Sequence, residues 1–394
     1  MEQNTAGEVA SEGSQEPTEG ARNASGTSTI TARIQAFRKR HARAEMALFF
    51  AGGFLFDVVT LDRIDNWTTL LQQGVYLLVL GGLLLFEQRY RLTGEQPPKG
   101  LRWLLRLSED ALHFLLGSLL SSYALFFFKS ASGVSAAIFL LVIFGLLVAN
   151  ELPRFRKRGP VVRFGLYSLS LTAYFAYLLP VLFGTMSAVL FVLAALLSVP
   201  PFLLFFKLAR KWSGEKEIAL KQIAAPAGGV QVALLALYFA GSIPPVPLSV
   251  EYLGVFHDVR RGEDGQYELL HERPAWRFWQ RGDQVFRARE GDKVYVFASV
   301  FAPMSFQGRS IYFHWFYDHP EKGWREVSKW EYPKLTGGRA EGYRVFASLS
   351  KPLPGDWSVE IRTSDGREVG RIGFTVEPDA SFPDAPRDFW VLKK

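Results

Sequence analysis

A few side chains in this sequence have the type and spacing to do chemistry. Asp57 sits inside an apolar run, Phe54-Leu55-Phe56-Asp57-Val58. A carboxylate within such a run is costly and by default suggests a proton or cation relay. Asp57 also lies about one turn from the end of its segment, where it would reach water, and that plainer account is favoured. Glu109 and His113 are spaced i, i+4, so a helix would place an acid and a proton carrier on one face. Without a third ligand they form no metal site, and Glu109 with Asp110 equally suits a helix amino terminus. His314, Asp318 and His319 offer two imidazoles and a carboxylate, a donor set that suits zinc. On an extended strand, however, positions 314 and 319 point to opposite faces, which favours a surface cluster beside a turn. Gly337-Gly338-Arg339 lacks the strand-loop-helix setting of a phosphate-cradling loop. A tight turn with Arg339 pairing a carboxylate is the simpler expectation. No serine, histidine and acid stand out as a hydrolase triad. These residues are functional candidates only; none specifies a catalytic group, a cofactor or a metal.

The elements that must position them divide the chain sharply. Residues 46–248 are dominated by Leu, Phe, Val, Ala and Gly, while the flanks are polar or mixed. Residues 249–394 hold 22 basic and 22 acidic side chains, a net charge of zero. The first 248 residues hold 23 and 16, so the whole excess of +7 accompanies the apolar block. A nucleic-acid domain would gather its basic residues on a folded surface, so no nucleic-acid partner is expected. There is no cysteine, which excludes disulfides, thiolate metal sites and cysteine nucleophiles.

Residues 1–29 have almost nothing to bury and read as a disordered tail. In 30–43, Ile30, Ile34 and Phe37 recur at helical spacing among five basic side chains. That pattern suits an amphipathic helix on an anionic membrane surface, or simply a topology-setting charge cluster. Seven membrane spans are expected within 44–248: roughly 44–61, 69–86, 111–128, 134–149, two within 161–206 split near Pro180, and 230–248. Lys plus Arg number five before the first span, then one, five, one, five, none and five in the successive linkers. Basic residues are retained on the cytoplasmic side. This alternation places the amino terminus in the cytoplasm and the carboxyl-terminal part outside, in the periplasm if the cell is a bacterium with an inner membrane.

From Ser249 the period changes to two. Strands are expected at 294–301, 311–317, 343–349, 357–363 and 369–376, with weaker ones at 252–259, 267–271 and 324–329. Trp357, Val359 and Ile361 should face a core while Ser358, Glu360 and Arg362 face water. Asp365-Gly366 signals a two-residue hairpin. About eight short strands suggest an all-β, immunoglobulin-like sandwich over 249–377, followed by an irregular tail at 378–394.

Val294-Tyr295-Val296-Phe297-Ala298-Ser299-Val300-Phe301-Ala302-Pro303, His314-Trp315, Gly337-Gly338-Arg339 with Gly342-Tyr343-Arg344, and residues 354–374 carry a resemblance. Over about 293–377 the sequence resembles the bacterial family named only as domain of unknown function 2914. The resemblance implies a module that follows a multi-span membrane region in some members, and it brings no active site. The expected protein is therefore a polytopic helical membrane protein with a β domain outside, more a binding, sensing or scaffolding protein than an enzyme. Its expected partners are the lipid bilayer and a periplasmic protein or glycan. The alternatives are a transporter or channel component using polar groups in the helices, and a membrane enzyme with its site at the outer interface.

Overall fold

The computed structural model describes residues 66–151 and 159–394, apart from 264, 274–275, 278, 307–308, 333–334, 336–341 and 380–385. The tail 1–29, the basic segment 30–43 and the expected first span, 44–61, lie outside the described residues.

The first half is helical: α1 (Trp67–Thr93), α2 (Arg102–Lys129), α3 (Gly133–Glu151), α4 (Pro160–Phe183), α5 (Ala188–Leu197), α6 (Val199–Ser213), α7 (Lys216–Ala219) and α8 (Ala225–Phe239). Asn66 starts α1 by accepting the Thr68 N–H at 3.0 Å. Among the described residues five stretches are long and apolar enough to cross a membrane: Trp67–Thr93, Leu107–Lys129, Pro160–Phe183, Ala188–Ser213 and Lys216–Phe239. Ala136–Leu146, within α3, is a shorter apolar helix.

The last of these departs from the expected 230–248. It begins at Lys216 and ends at Phe239, and 242–248 leave the helix through Pro244, Pro245 and Pro247. Pro226 falls between the expected spans, and inside a helix a proline ring clashes with a carbonyl one turn earlier. A π turn at Leu220–Ala224 widens the backbone there, with the Ala225 N–H bonded to the Leu220 carbonyl, and the helix continues past the proline.

Some polar side chains inside the helical part are gathered into one hydrogen-bonded cluster, which offsets their removal from water. The Gln231 amide nitrogen lies 3.0 Å from Ser168 Oγ, 2.6 Å from Thr172 Oγ1 and 2.7 Å from Ser198 Oγ. These four tie α4, α8 and the α5–α6 junction. Arg163 of α4 pairs with Glu87 of α1.

The second half is β1 (Ser249–Phe256), β2 (Asp258–Arg261), β3 (Tyr267–His271), β4 (Val285–Ala288), β5 (Lys293–Phe301), β6 (Ile311–His319), β7 (Gly323–Tyr332), β8 (Tyr343–Ser350), β9 (Gly355–Thr363), β10 (Glu368–Pro378) and β11 (Trp390–Lys393). They form sheets ordered β1-β5-β8, β4-β10-β9-β6-β7 and β11-β3-β2. Alternate residues of the first two sheets meet in one core, among them Val296 and Ala298 against Trp315, Trp357, Val359 and Ile361. The third sheet covers the other face of the first, burying Phe256, Val259, Leu269 and Phe297. Residues 378–394, expected to be irregular, thus contain a strand; β11 is only four residues long and shows no alternation that a sequence would betray.

Trp357, Val359 and Ile361 face the core as their alternation requires, at 2 %, 0 % and 0 % exposure. Ser358 and Glu360, expected to face water, are buried too. Arg362 and Arg371 each hold the Glu360 carboxylate at 2.5 Å, which offsets its removal from water.

The β domain sits against the helix ends. Ser132, in the α2–α3 turn, donates to Glu368 at 2.5 Å, and Arg371 also reaches Glu368 at 2.7 Å. The Arg367 guanidinium lies 3.6 Å above the Tyr238 ring of α8. Met186, between α4 and α5, packs on the β core. Arg309 donates to the Gly184 carbonyl at 3.0 Å. Gly184 has φ +62, and a Cβ there would stand 1.8 Å from the Ser305 carbonyl oxygen. Gly184→Ala should therefore loosen this seat. With cysteines at positions 132 and 368 and a short bis-thiol reagent, crosslinking should slow severalfold in the alanine variant; an unchanged rate would refute the contact.

Candidate functional site

On the face of β1, β5 and β8 turned toward the third sheet, a cleft of about 500 Å³ opens between Tyr252, Phe297, Ser299, Arg344, Lys393 and Lys394. Gln266 and Glu251 complete its rim. Alternation along β1 and β5 sends Tyr252 and Phe297 to this face because their neighbours fill the main core. Strand β11, paired to β3 with Lys393 opposite Glu268, brings two lysines to the opposite wall. Lys394 Nζ lies 4.8 Å from the centroid of the Tyr252 ring, and the Arg281 guanidinium 5.7 Å. Lys393 Nζ is 3.3 Å from Glu268. Burial pushes the Tyr252 phenol up to about 12, so it stays a neutral donor. The cleft can grip a negative group with its cations and cover an attached apolar or ring-shaped body with its aromatics. A smaller cleft of about 70 Å³ shares Glu251 and is lined by Phe126, Lys129 and Ser130 at the end of α2.

Strand β11 is held in place by an ion cluster. Arg387 lies 2.8 Å from Asp292 and 3.5 Å from both Glu272 and Asp379, and Arg289 lies 2.6 Å from Asp379. His257, between β1 and β2, lies 3.6 Å from Asp283 and 3.9 Å from Glu272, with its side chain 4 % exposed. Phe286 stacks on its ring at 4.0 Å. Asp283 accepts the Glu272 and Arg273 N–H groups at 2.8–3.0 Å. Its position is set by Gly282, φ +74, whose missing Cβ would fall 1.9 Å from the Val255 carbonyl oxygen. Burial and the neighbouring Arg387 hold the His257 imidazole down at about 4. Burial raises the Asp283 carboxyl to about 7, against the pull of its backbone hydrogen bonds. Glu272 is likewise raised by burial, and His271 lowered by burial and Arg273. Two buried groups whose titrations are displaced in opposite directions thus lie side by side here.

Of the candidates drawn from sequence, Asp57 and Arg339 lie outside the described residues. Glu109 lies 3.7 Å from Arg163, across from α2 to α4. His113, one turn later on α2, is half-buried. His314 is buried with its Nδ1 3.1 Å from Glu326. Asp318 and His319 close β6, and His319 Nδ1 accepts the Glu321 N–H at 3.2 Å. Among the described residues no group of three or more His, Asp or Glu side chains converges to hold a metal. Sequence reasoning missed both the cleft and the ion cluster. Their members come from positions 251–299, 344 and 379–394, with no local spacing to link them.

A helical region carrying five candidate spans, joined to a β-sandwich-like domain, is the class of protein these features define. Within that domain, residues 309–376, nearly all of β6 to β10, match the family described as "Protein of unknown function (DUF2914)", and the chain carries that family's domain. No curated protein matches the chain. Among solved structures, an immunoglobulin-like protein from Pseudomonas aeruginosa is 13 % identical with a TM-score of 0.21, covering 34 % of this chain and 98 % of its own. An alkylpurine DNA glycosylase from Pseudomonas fluorescens, bound to DNA containing an abasic site analog, is 10 % identical with a TM-score of 0.18, covering 80 % and 98 %. At such scores neither likeness carries an argument about this chain.

Proposed function

We propose that this chain is a bacterial inner-membrane protein of seven spans, with its amino terminus in the cytoplasm and an immunoglobulin-like β domain in the periplasm. It acts there as an envelope binding, sensing or scaffolding protein. The observation that carries the reading is the cleft: an open, aromatic and cationic recess on a domain whose other contacts seat it on the helix ends. The basic linkers support the orientation, and the two spans proposed beyond the five are 44–61, which lies outside the described residues, and the short α3. The polar knot around Gln231 lacks an ionisable group, which disfavours a proton or ion relay there.

Two arms test this. A reporter active only in the periplasm should be active when fused after Lys394 and silent after Gly94; activity at Gly94 sinks the topology. A photo-crosslinking residue at Gln266, on the cleft rim, should give discrete adducts in living cells, whereas one at Glu321, on the β6–β7 turn, should not. Equal profiles at the two positions would remove the binding role.

A further inference from the structure

The cleft's lining is more selective than a generic recess. Arg344 and Lys394 stand at the walls with Lys393, whose charge is shared with Glu268, and Arg281 lies over the Tyr252 ring from outside. Against these cations the lining contributes one acidic side chain, Glu251. Neutral donors are present as well: the Ser299 hydroxyl and the Tyr252 phenol. A carboxylate is satisfied by one forked guanidinium, whereas a tetrahedral phosphate takes several donors from different directions. The volume of about 500 Å³ far exceeds a bare ion, and Tyr252 and Phe297 offer apolar contact to whatever carries the charge. Through Glu251 the recess adjoins the smaller cleft at the end of α2, where Phe126 and Lys129 stand.

We propose that the cleft is a binding site for a phosphate ester attached to a sugar- or glycerol-sized body, with Arg344, Lys393 and Lys394 gripping the phosphate and Tyr252 and Phe297 covering the body. This deepens the envelope-binding reading and rests on it. Such a group occurs as a lipid headgroup and as a soluble phosphorylated compound, and the chemistry recognised is the same.

The test uses the full chain in nanodiscs of phosphatidylcholine, titrated calorimetrically with glycerol phosphate and, separately, with glycerol. Glycerol phosphate should bind saturably, and more weakly as salt rises; glycerol should not bind. Arg344→Gln should weaken binding about tenfold or more, and so should the exposed pair Lys393→Gln with Lys394→Gln, which leaves the core untouched. Replacing part of the phosphatidylcholine by phosphatidylglycerol then separates the sources. Competition with glycerol phosphate assigns the site to a lipid headgroup, and unchanged binding assigns it to a soluble ligand. Absence of saturable binding, or binding indifferent to both variants, overturns the assignment. If that happens while adducts at Gln266 persist, only the phosphate assignment falls; loss of those adducts removes the underlying reading itself.

Discussion

Truncation of Trp357 to alanine should cost the β domain about 3–5 kcal/mol, enough to unfold it or leave it barely folded. The ring is 2 % exposed, lies 5.0 Å from Tyr317 and 6.4 Å from Phe374, and donates its indole N–H to the Leu353 carbonyl at 2.8 Å. Removing it opens a cavity between the two large sheets and leaves that carbonyl without its partner. Trp324 is 53 % exposed, and its replacement by alanine should change stability by no more than about 0.5 kcal/mol. Denaturant unfolding of the purified full chain, followed by near-ultraviolet circular dichroism, compares the two. Equal midpoints for Trp357→Ala and parent would overturn the core assignment.

The second large effect is in pH dependence. Asp283 is raised from 3.8 to about 7, so its contribution to stability is full below pH 3.8 and is lost as pH rises through 7. His257 is lowered from 6.5 to about 4, so its contribution is full above pH 6.5 and is lost as pH falls through 4. Between pH 4 and 6.5 the two slopes oppose each other and the parent should be nearly flat. Asp283→Asn should unmask a stability that rises across that window. His257→Gln should unmask one that falls from pH 4 to 7. The slope unmasked in Asp283→Asn should amount to about 3 kcal/mol over its window, and that unmasked in His257→Gln to about 4 kcal/mol. Unfolding midpoints measured across this range check both variants, and two flat profiles would sink the account. Neighbouring Glu272, Asp292, Asp379 and Arg289 have ion pairs with Arg387 or with one another that involve neither substituted side chain.

Much of the fold was legible because period decides it. The switch from long apolar runs to alternation at Ser249 and the inward parity of Trp357, Val359 and Ile361 follow from local pattern. Asp365-Gly366 marks a turn but not the expected two-residue hairpin: the Gly366 N–H donates to the Thr363 carbonyl at 3.0 Å, which centres the turn on Ser364 and Asp365. What escaped was set by tertiary context. Strands β4 and β11, four residues each, exist because longer strands offer them an edge. The burial of Glu360 depends on Arg362 and Arg371, and the latter reaches it from another strand. The final helix passes Pro226 only because a π turn makes room. The candidate site was not legible at all: His257, Asp283 and Arg387 carry no mutual spacing, and a histidine held neutral by burial looks in sequence like any other.

The cleft wall formed by β11 has a consequence for when the molecule becomes competent. Tyr252 belongs to the first strand of the β domain and Lys393 to the last, so the recess closes only when the two ends of that domain meet. Contacts between such distant positions form late in folding, after nearer pairings have reduced the entropy of closing the intervening chain. Arg387, bridging Asp292, Glu272 and Asp379, then acts as a clasp on the finished assembly. A molecule stalled with its sandwich built but its final strand undocked would have the aromatic floor without the lysine wall. Binding of the proposed phosphate ester should therefore depend on the docking of β11, the strand that brings the lysines to the cleft.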